Sequence, residues 1–170
     1  MSKAIFVSPK YVKQKSIISG DLDADKLIQF IETAQDFHIQ NYLGTELYNK
    51  VMSLIVADTI DDVENAVYRT LLDTHIKPML AWFTQADFIP YAPYSITNGG
   101  VFRHRSENSD SASQEEIARL ANLANEKATF YTQRFLEFMC DNSNDYPEYN
   151  STSEDMSPDK TIDSSSWYLG

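Results

Sequence analysis

Asp21, Asp23 and Asp25, followed by Glu32, occupy the first, third, fifth and twelfth places of the stretch DLDADKLIQFIE. Acids at those places are how a calcium-binding loop collects its oxygen ligands. The sixth place of such a loop has to turn sharply and is a glycine, whereas here it is Lys26. The loop would also have to stay non-helical through Leu27–Ile31, and those residues open a helical pattern. The same acids fit a helix start: Asp21 or Asp23 as N-cap, Asp25 in the positively polarised first turn, and Glu32 on the solvated side. A calcium-responsive helical binding module using Asp21, Asp23, Asp25 and Glu32 is therefore the alternative reading, and a capped helix the leading one.

Other reactive side chains are sparse. His38, His75 and His104 are the three histidines, and none has a carboxylate or cysteine at metal-ligand spacing. Neither a Glu-x-x-His pair nor a His-Glu-x-x-His run is present. Cys140 is the single cysteine, which leaves no internal disulfide and no multi-cysteine zinc site. The run TNGGVFRHR has the glycines and basic residues of an anion nest, but it matches neither the phosphate-loop nor the dinucleotide spacing. Arg103, His104 and Arg105 form the one dense basic patch in an acidic chain and suit an acidic partner surface. No nucleophile can be paired with a base, so the sequence predicts no enzyme, no cofactor and no metal.

Elements that position these residues follow from periodicity. Residues 1–22 mix Val, Ile, Tyr and Lys without helical spacing and predict an extended N-terminal arm. From Ala24, Ile28, Ile31, Gln35, Ile39 and Tyr42 recur at steps of three or four until Gly44 supplies a stop. Thr45 then caps a second helix carrying Leu47, Tyr48, Val51, Leu54 and Ile55 on one face. Asp61 or Asp62 starts a third, with Val63, Ala66, Val67 and Leu71 inward, and Pro78 fits the first turn of a restarted helix capped by Asp73 or Thr74, the favoured reading, or else a kink in a continuing one. Around Asn98, Gly99 and Gly100, flanks of β-branched and aromatic residues predict a short β-hairpin or projecting loop. Ser113 and Glu116 form a capping-box pattern ahead of Ile117, Leu120, Ala124, Ala128, Tyr131, Phe135 and Phe138, a stripe longer than twenty residues.

The fold class expected is mainly α: a bundle of four to five helices over residues 23–142, with the hairpin and an extended acidic C-terminal arm over 143–170. From Asp141 to the end the chain holds seven acids and one lysine, with too few apolar groups to offset its ordering entropy, yet it contains Trp167, Tyr168 and Leu169, an aromatic anchor suited to a groove.

The chain has 170 residues, 42% of them hydrophobic, which fits one domain with a proper core. A net charge of -11 argues against neutralising a phosphate backbone, so specific nucleic-acid binding is not expected. The longest uncharged run, near Phe88–Phe102, is broken by Pro90, Pro93 and two glycines, which speaks against a membrane span. The N-terminus lacks the hydrophobic stretch of a signal peptide.

The block FIETAQDFHIQNYLGTELYNKV resembles the first helix, Leu-Gly turn and second helix of head-tail connector (adaptor or neck) proteins of tailed bacteriophages, and is similar to those of the crAss-like phages of Bacteroides. IKPMLAWF, ITNGGVF, SASQEEIARL with ATFYTQRFLEFM, and DNSNDYPEY resemble later blocks of that group in the same order. The resemblance covers about residues 24–149. It implies a structural virion protein without enzymatic role, assembled in the host cytoplasm. Such a protein forms a ring, commonly of twelve copies, between portal and tail at the virion neck, and DNA passes through it without specific binding. By that resemblance the residues Asn98, Gly99, Gly100, Val101, Phe102, Arg103 and Arg105, then Tyr146, Pro147 and Tyr149, and finally Trp167, Tyr168 and Leu169 would contact neighbouring subunits, the portal or other neck and tail proteins.

Overall fold

The computed structural model describes residues 3–18, 22–98, 100–103, 112–151 and 155–161, and the chain is mainly α-helical. The N-terminal segment departs from the extended reading. Ser8 accepts from the Tyr11 amide and Pro9 takes the first turn, so α1 (Pro9–Lys15) forms. Seven residues are too few to show a period, which is why the pattern hid it. Val12 of α1, with Phe6 and Val7 just before it, is buried in the common core.

α2 (Ala24–Ala34) opens on Asp23, whose carboxylate accepts from the Asp25 amide at 3.0 Å. A π-turn over Gln35–Ile39 joins it without a break to α3 (Gln40–Val56). Ile31, Gln35 and Ile39 of the expected stripe face inward, with Leu27, Ala34 and Leu43 widening it, whereas Ile28 and Tyr42 are only partly buried. Gly44, inside α3, has φ 73° and ψ 159°, a backbone that ends one helical run and starts another.

A short 3₁₀ turn at Val63–Asn65 leads into α4 (Ala66–Leu71). Here the inward face differs from expectation: Val63 is 94% exposed and Val67 is exposed too, while Tyr68, Leu71, Leu72 and Ile76 are buried. Pro78 does not mark a restart. A second π-turn, Leu72–Ile76, links α4 to α5 (Lys77–Phe88), and neither Asp73 nor Thr74 caps it. Proline cannot donate to the carbonyl one turn back, and the wider π-turn immediately upstream carries the rod past the missing bond.

β1 (Tyr94–Thr97) pairs antiparallel with β2 (Gly100–Arg103), with Ile96 opposite Val101 and Ser95 opposite Phe102. α6 (Gln114–Asn142) begins at a complete capping box between Ser113 and Glu116 and packs along α5. Its buried residues are Ala124, Ala128, Thr132, Phe135, Leu136 and Met139, whereas Leu120 is exposed, so the core takes up only the later turns of the predicted stripe. Two 3₁₀ turns, Ser143–Asp145 and Pro147–Asn150, then fold Tyr146 and Tyr149 back into the core. The chain from residue 143 to 151 is therefore part of the packed domain and not an arm. Among the described residues no helix is long and apolar enough to cross a membrane.

Candidate functional site

The first candidate, the acidic stretch, is a helix start. α2 runs through Asp25 and Glu32, seven residues and roughly 10 Å apart along the axis, so the two carboxylates cannot close on one ion. Asp21 lies outside the described residues. No group of three or more His, Cys, Asp or Glu is placed to hold a metal among those described.

His75 is buried at 8% exposure and stacks on Phe138 with ring centroids 4.3 Å apart. Burial, and then the Arg134 charge, hold its pKa below the ordinary histidine value. His38 has a partner that its sequence neighbours could not reveal. Its ring lies parallel to Phe83, 4.0 Å between centroids, and its Nε2 is 3.1 Å from the carboxylate of Asp87, forty-nine residues away on α5. An imidazole oriented by a carboxylate can accept a proton, but a hydrolase also needs an activated nucleophile. Thr33, the nearby hydroxyl, donates to the Gln29 carbonyl at 2.8 Å.

His38 and Asp87 line one side of an open groove of about 630 Å³ between α2 and α5. Phe30, Thr33, Phe37 and Tyr91 complete its walls. Phe37 is 76% exposed and Tyr91 60% exposed, while Phe30 meets Phe88 edge to face at 5.2 Å. Aromatic side chains this open cost free energy unless something covers them.

A second surface lies along α6. Leu120, Leu123 and Phe130 are 40%, 44% and 50% exposed. At 3.6 residues per turn Leu123 and Phe130 sit roughly 150–175° around the helix from the core-facing residues. Lys127, between them, lies over the Trp82 ring at 4.3 Å, and Arg134 over Phe130 at 5.9 Å. On the inward side of the same helix, Ile117 and Ala121 line a shallow gap with Pro90 and Tyr94.

The third element is a strap, residues 155–161, laid across the helix break at Gly44. The Thr45 amide donates to the Met156 carbonyl and the Asp159 amide to the Asn41 carbonyl, each at 2.9 Å. One bond satisfies the first amide of a helical run and the other the last turn of the run before it. The Thr45 hydroxyl donates to the Asp155 carboxylate at 3.0 Å and accepts from Gln40 at 3.1 Å. Pro158 lies on Gly44 so closely that a Cβ there would stand 2.6 Å from Pro158 Cδ. Lys160 covers the Tyr149 ring at 4.6 Å. Thr45 was expected to cap its own helix; the tail does so instead.

Of the residues the resemblance assigned to neighbour contacts, Asn98 is exposed at the hairpin turn, and Gly100, Val101, Phe102 and Arg103 form β2. Pro147 is exposed. Tyr146 and Tyr149 are not surface groups: they are 2% and 3% exposed. Tyr146 donates to the Val67 carbonyl and meets Tyr68 edge to face, and Tyr149 meets Phe135. Burial first, then Asp145 for Tyr146 and Cys140 for Tyr149, push both phenols up to about 12. The two 3₁₀ turns that reverse the chain carry no periodic signal, so the sequence pattern around Tyr146 and Tyr149 suggests an arm where the structure has a packed turn. Gly99, Arg105, Trp167, Tyr168 and Leu169 lie outside the described residues.

Gln35, a member of the stripe the sequence places inward, is wholly buried, and its partners are what the spacing does not reveal: it accepts from the Phe6 amide at 2.7 Å and donates to the Ala4 carbonyl and the Tyr48 hydroxyl. Tyr48 in turn donates to Asp36. A glutamine inside an apolar stripe was the available signal.

No curated protein and no solved structure matches the chain. Residues 39–158, from the last residue of the first π-turn to the proline on Gly44, match a family described as a family of unknown function (DUF6712), and the chain belongs to that family.

Proposed function

We propose that this protein is a structural virion component, a head-tail connector that forms a ring between portal and tail and lets the genome pass. In this reading the molecule is a helical bundle whose hairpin, from Asn98 to Arg103, and outer α6 face meet neighbouring subunits, the portal or other neck proteins. The order of sequence blocks from residue 24 to 149 is what suggests the class. The observation that carries it is the second apolar stripe on α6, Leu120, Leu123 and Phe130, exposed on a helix whose other side already supplies the core. A helix with two apolar faces has one of them left for a partner. Closed rings repeat one such contact around the axis, so a modest patch per copy suffices.

The paired His38 and Asp87 do not favour hydrolysis over this reading, since the adjacent hydroxyl is committed to a backbone carbonyl. A net charge of -11 suits a passage to which DNA does not adhere.

The test is assembly. The chain mixed with the portal protein of its own virus should give a complex of many copies by native mass measurement, and Leu123→Glu with Phe130→Glu should abolish it while leaving the melting temperature close to wild type. A chain that stays monomeric with portal and neck proteins alike refutes the proposal.

A further inference from the structure

The strap has a direction. Met156 is bonded at Thr45, Pro158 sits on Gly44 and Asp159 is bonded at Asn41, so the tail runs toward lower residue numbers along the α2–α3 rod. Thr161, whose amide closes a turn onto the Asp159 carboxylate at 2.9 Å, is the last described residue on that path. One helical turn beyond Asn41 the rod presents Phe37 and His38, the near wall of the aromatic groove.

We propose that this groove is the seat of the chain's own residues 164–169, with Trp167, Tyr168 and Leu169 covering Phe37 and Tyr91. Reach allows it: Trp167 is eight residues past Asp159, about 26 Å of extended chain. The far wall at Phe30 is eleven residues along the rod from Asn41, roughly 17 Å. The strap arrives already aligned and pinned by two backbone bonds, so only a short leash has to be ordered, and the effective concentration of the anchor at the groove is high. The chemistry also matches. The groove offers ring faces and edges for an indole, and the Asp87 carboxylate, a third exposed, is an acceptor for its N–H.

The experiment uses the full chain labelled with 5-fluorotryptophan, which has two indoles, Trp82 and Trp167, resolved by ¹⁹F NMR and assigned with Trp167→Phe. Shielding is read as loss of line broadening by a soluble gadolinium chelate. The Trp167 resonance is expected away from the free-indole position and several-fold less broadened than that of free tryptophan. Phe37→Asp or Tyr91→Asp, at side chains too exposed to support the core, should return it to the free position and full broadening without moving Trp82. Val63→Asp, at a side chain that is also exposed but lies on the turn before α4, should change neither. Three results overturn the proposal: a Trp167 signal already at the free position in the wild-type chain, shielding that survives both groove substitutions, or shielding that disappears on dilution, which would assign the groove to a second copy's tail.

Discussion

Gly44 joins two helical runs at φ 73° and ψ 159°, a backbone reserved almost wholly for glycine, and it does so under Pro158 of the strap. Replacing it with alanine imposes two costs. Holding a Cβ in that backbone region costs about 1–3 kcal/mol. The new Cβ would also meet Pro158 Cδ at 2.6 Å and the Pro158 backbone nitrogen at 2.9 Å, so the strap must lift. Lifting it releases the bonds from Thr45 to Met156 and from Asp159 to Asn41, each a contribution of about 1 kcal/mol. The expected loss is about 3–5 kcal/mol, or roughly 6–20 °C in melting temperature for a domain of this size. Calorimetry gives the melting shift, and hydrogen exchange at the Thr45 and Asp159 amides shows whether the strap has lifted. Two companions sharpen the result. Gly100→Ala, at φ 122° with nothing within 4 Å of the new Cβ, carries backbone strain without a clash and should cost less. Placing Gly44→Ala in a Pro158→Ala background removes the ring atoms but not the backbone nitrogen, so part of the loss should be recovered. Unchanged melting in Gly44→Ala, or unchanged protection of both amides, would refute the account of the strap as a clamp on the helix break.

Acid should weaken the fold through His75. Its folded pKa lies below the ordinary 6.5, first because of burial, so the unfolded chain binds more protons as pH falls below that value and stability drops with it; the urea midpoint should fall between pH 7.5 and 5.5, and His75→Gln should flatten that slope. Tyr68→Phe removes a hydroxyl that donates to both Glu148 carboxylate oxygens, at 3.0 and 2.8 Å; hydrogen bonds to charged groups contribute about 1.5–3 kcal/mol, and urea unfolding should register a loss in the lower part of that range because Glu148 is only half-buried. Gln35→Met keeps the volume but leaves the Phe6 amide without its acceptor; the expected loss is about 1–3 kcal/mol, with exchange of the Phe6 amide accelerating more than that of amides in α5.

Periodicity and end signals determined much of this protein from the sequence. The stripe through Ile31, Gln35, Ile39 and Leu43, the stop at Gly44, and the capping box at Ser113 and Glu116 are local patterns, set by bonds within a few residues, and they reappear as the rods of the structure. Asp23 as an N-cap likewise follows from its own neighbours, which is also why the acidic stretch folds as a helix and not as an ion-binding loop. What the sequence could not supply were facts that join distant residues. Pairing of His38 with Asp87, of Phe6 with Gln35 and of Tyr68 with Glu148 depends on how rods pack, and no spacing rule spans gaps of twenty-nine to eighty residues. Burial of Tyr146 and Tyr149, exposure of Val63, and the strap on Gly44 belong to the same class. An acidic tail reads as solvated because composition is averaged along the chain, whereas burial is decided residue by residue, by whether a complementary surface lies within reach once the helices have met.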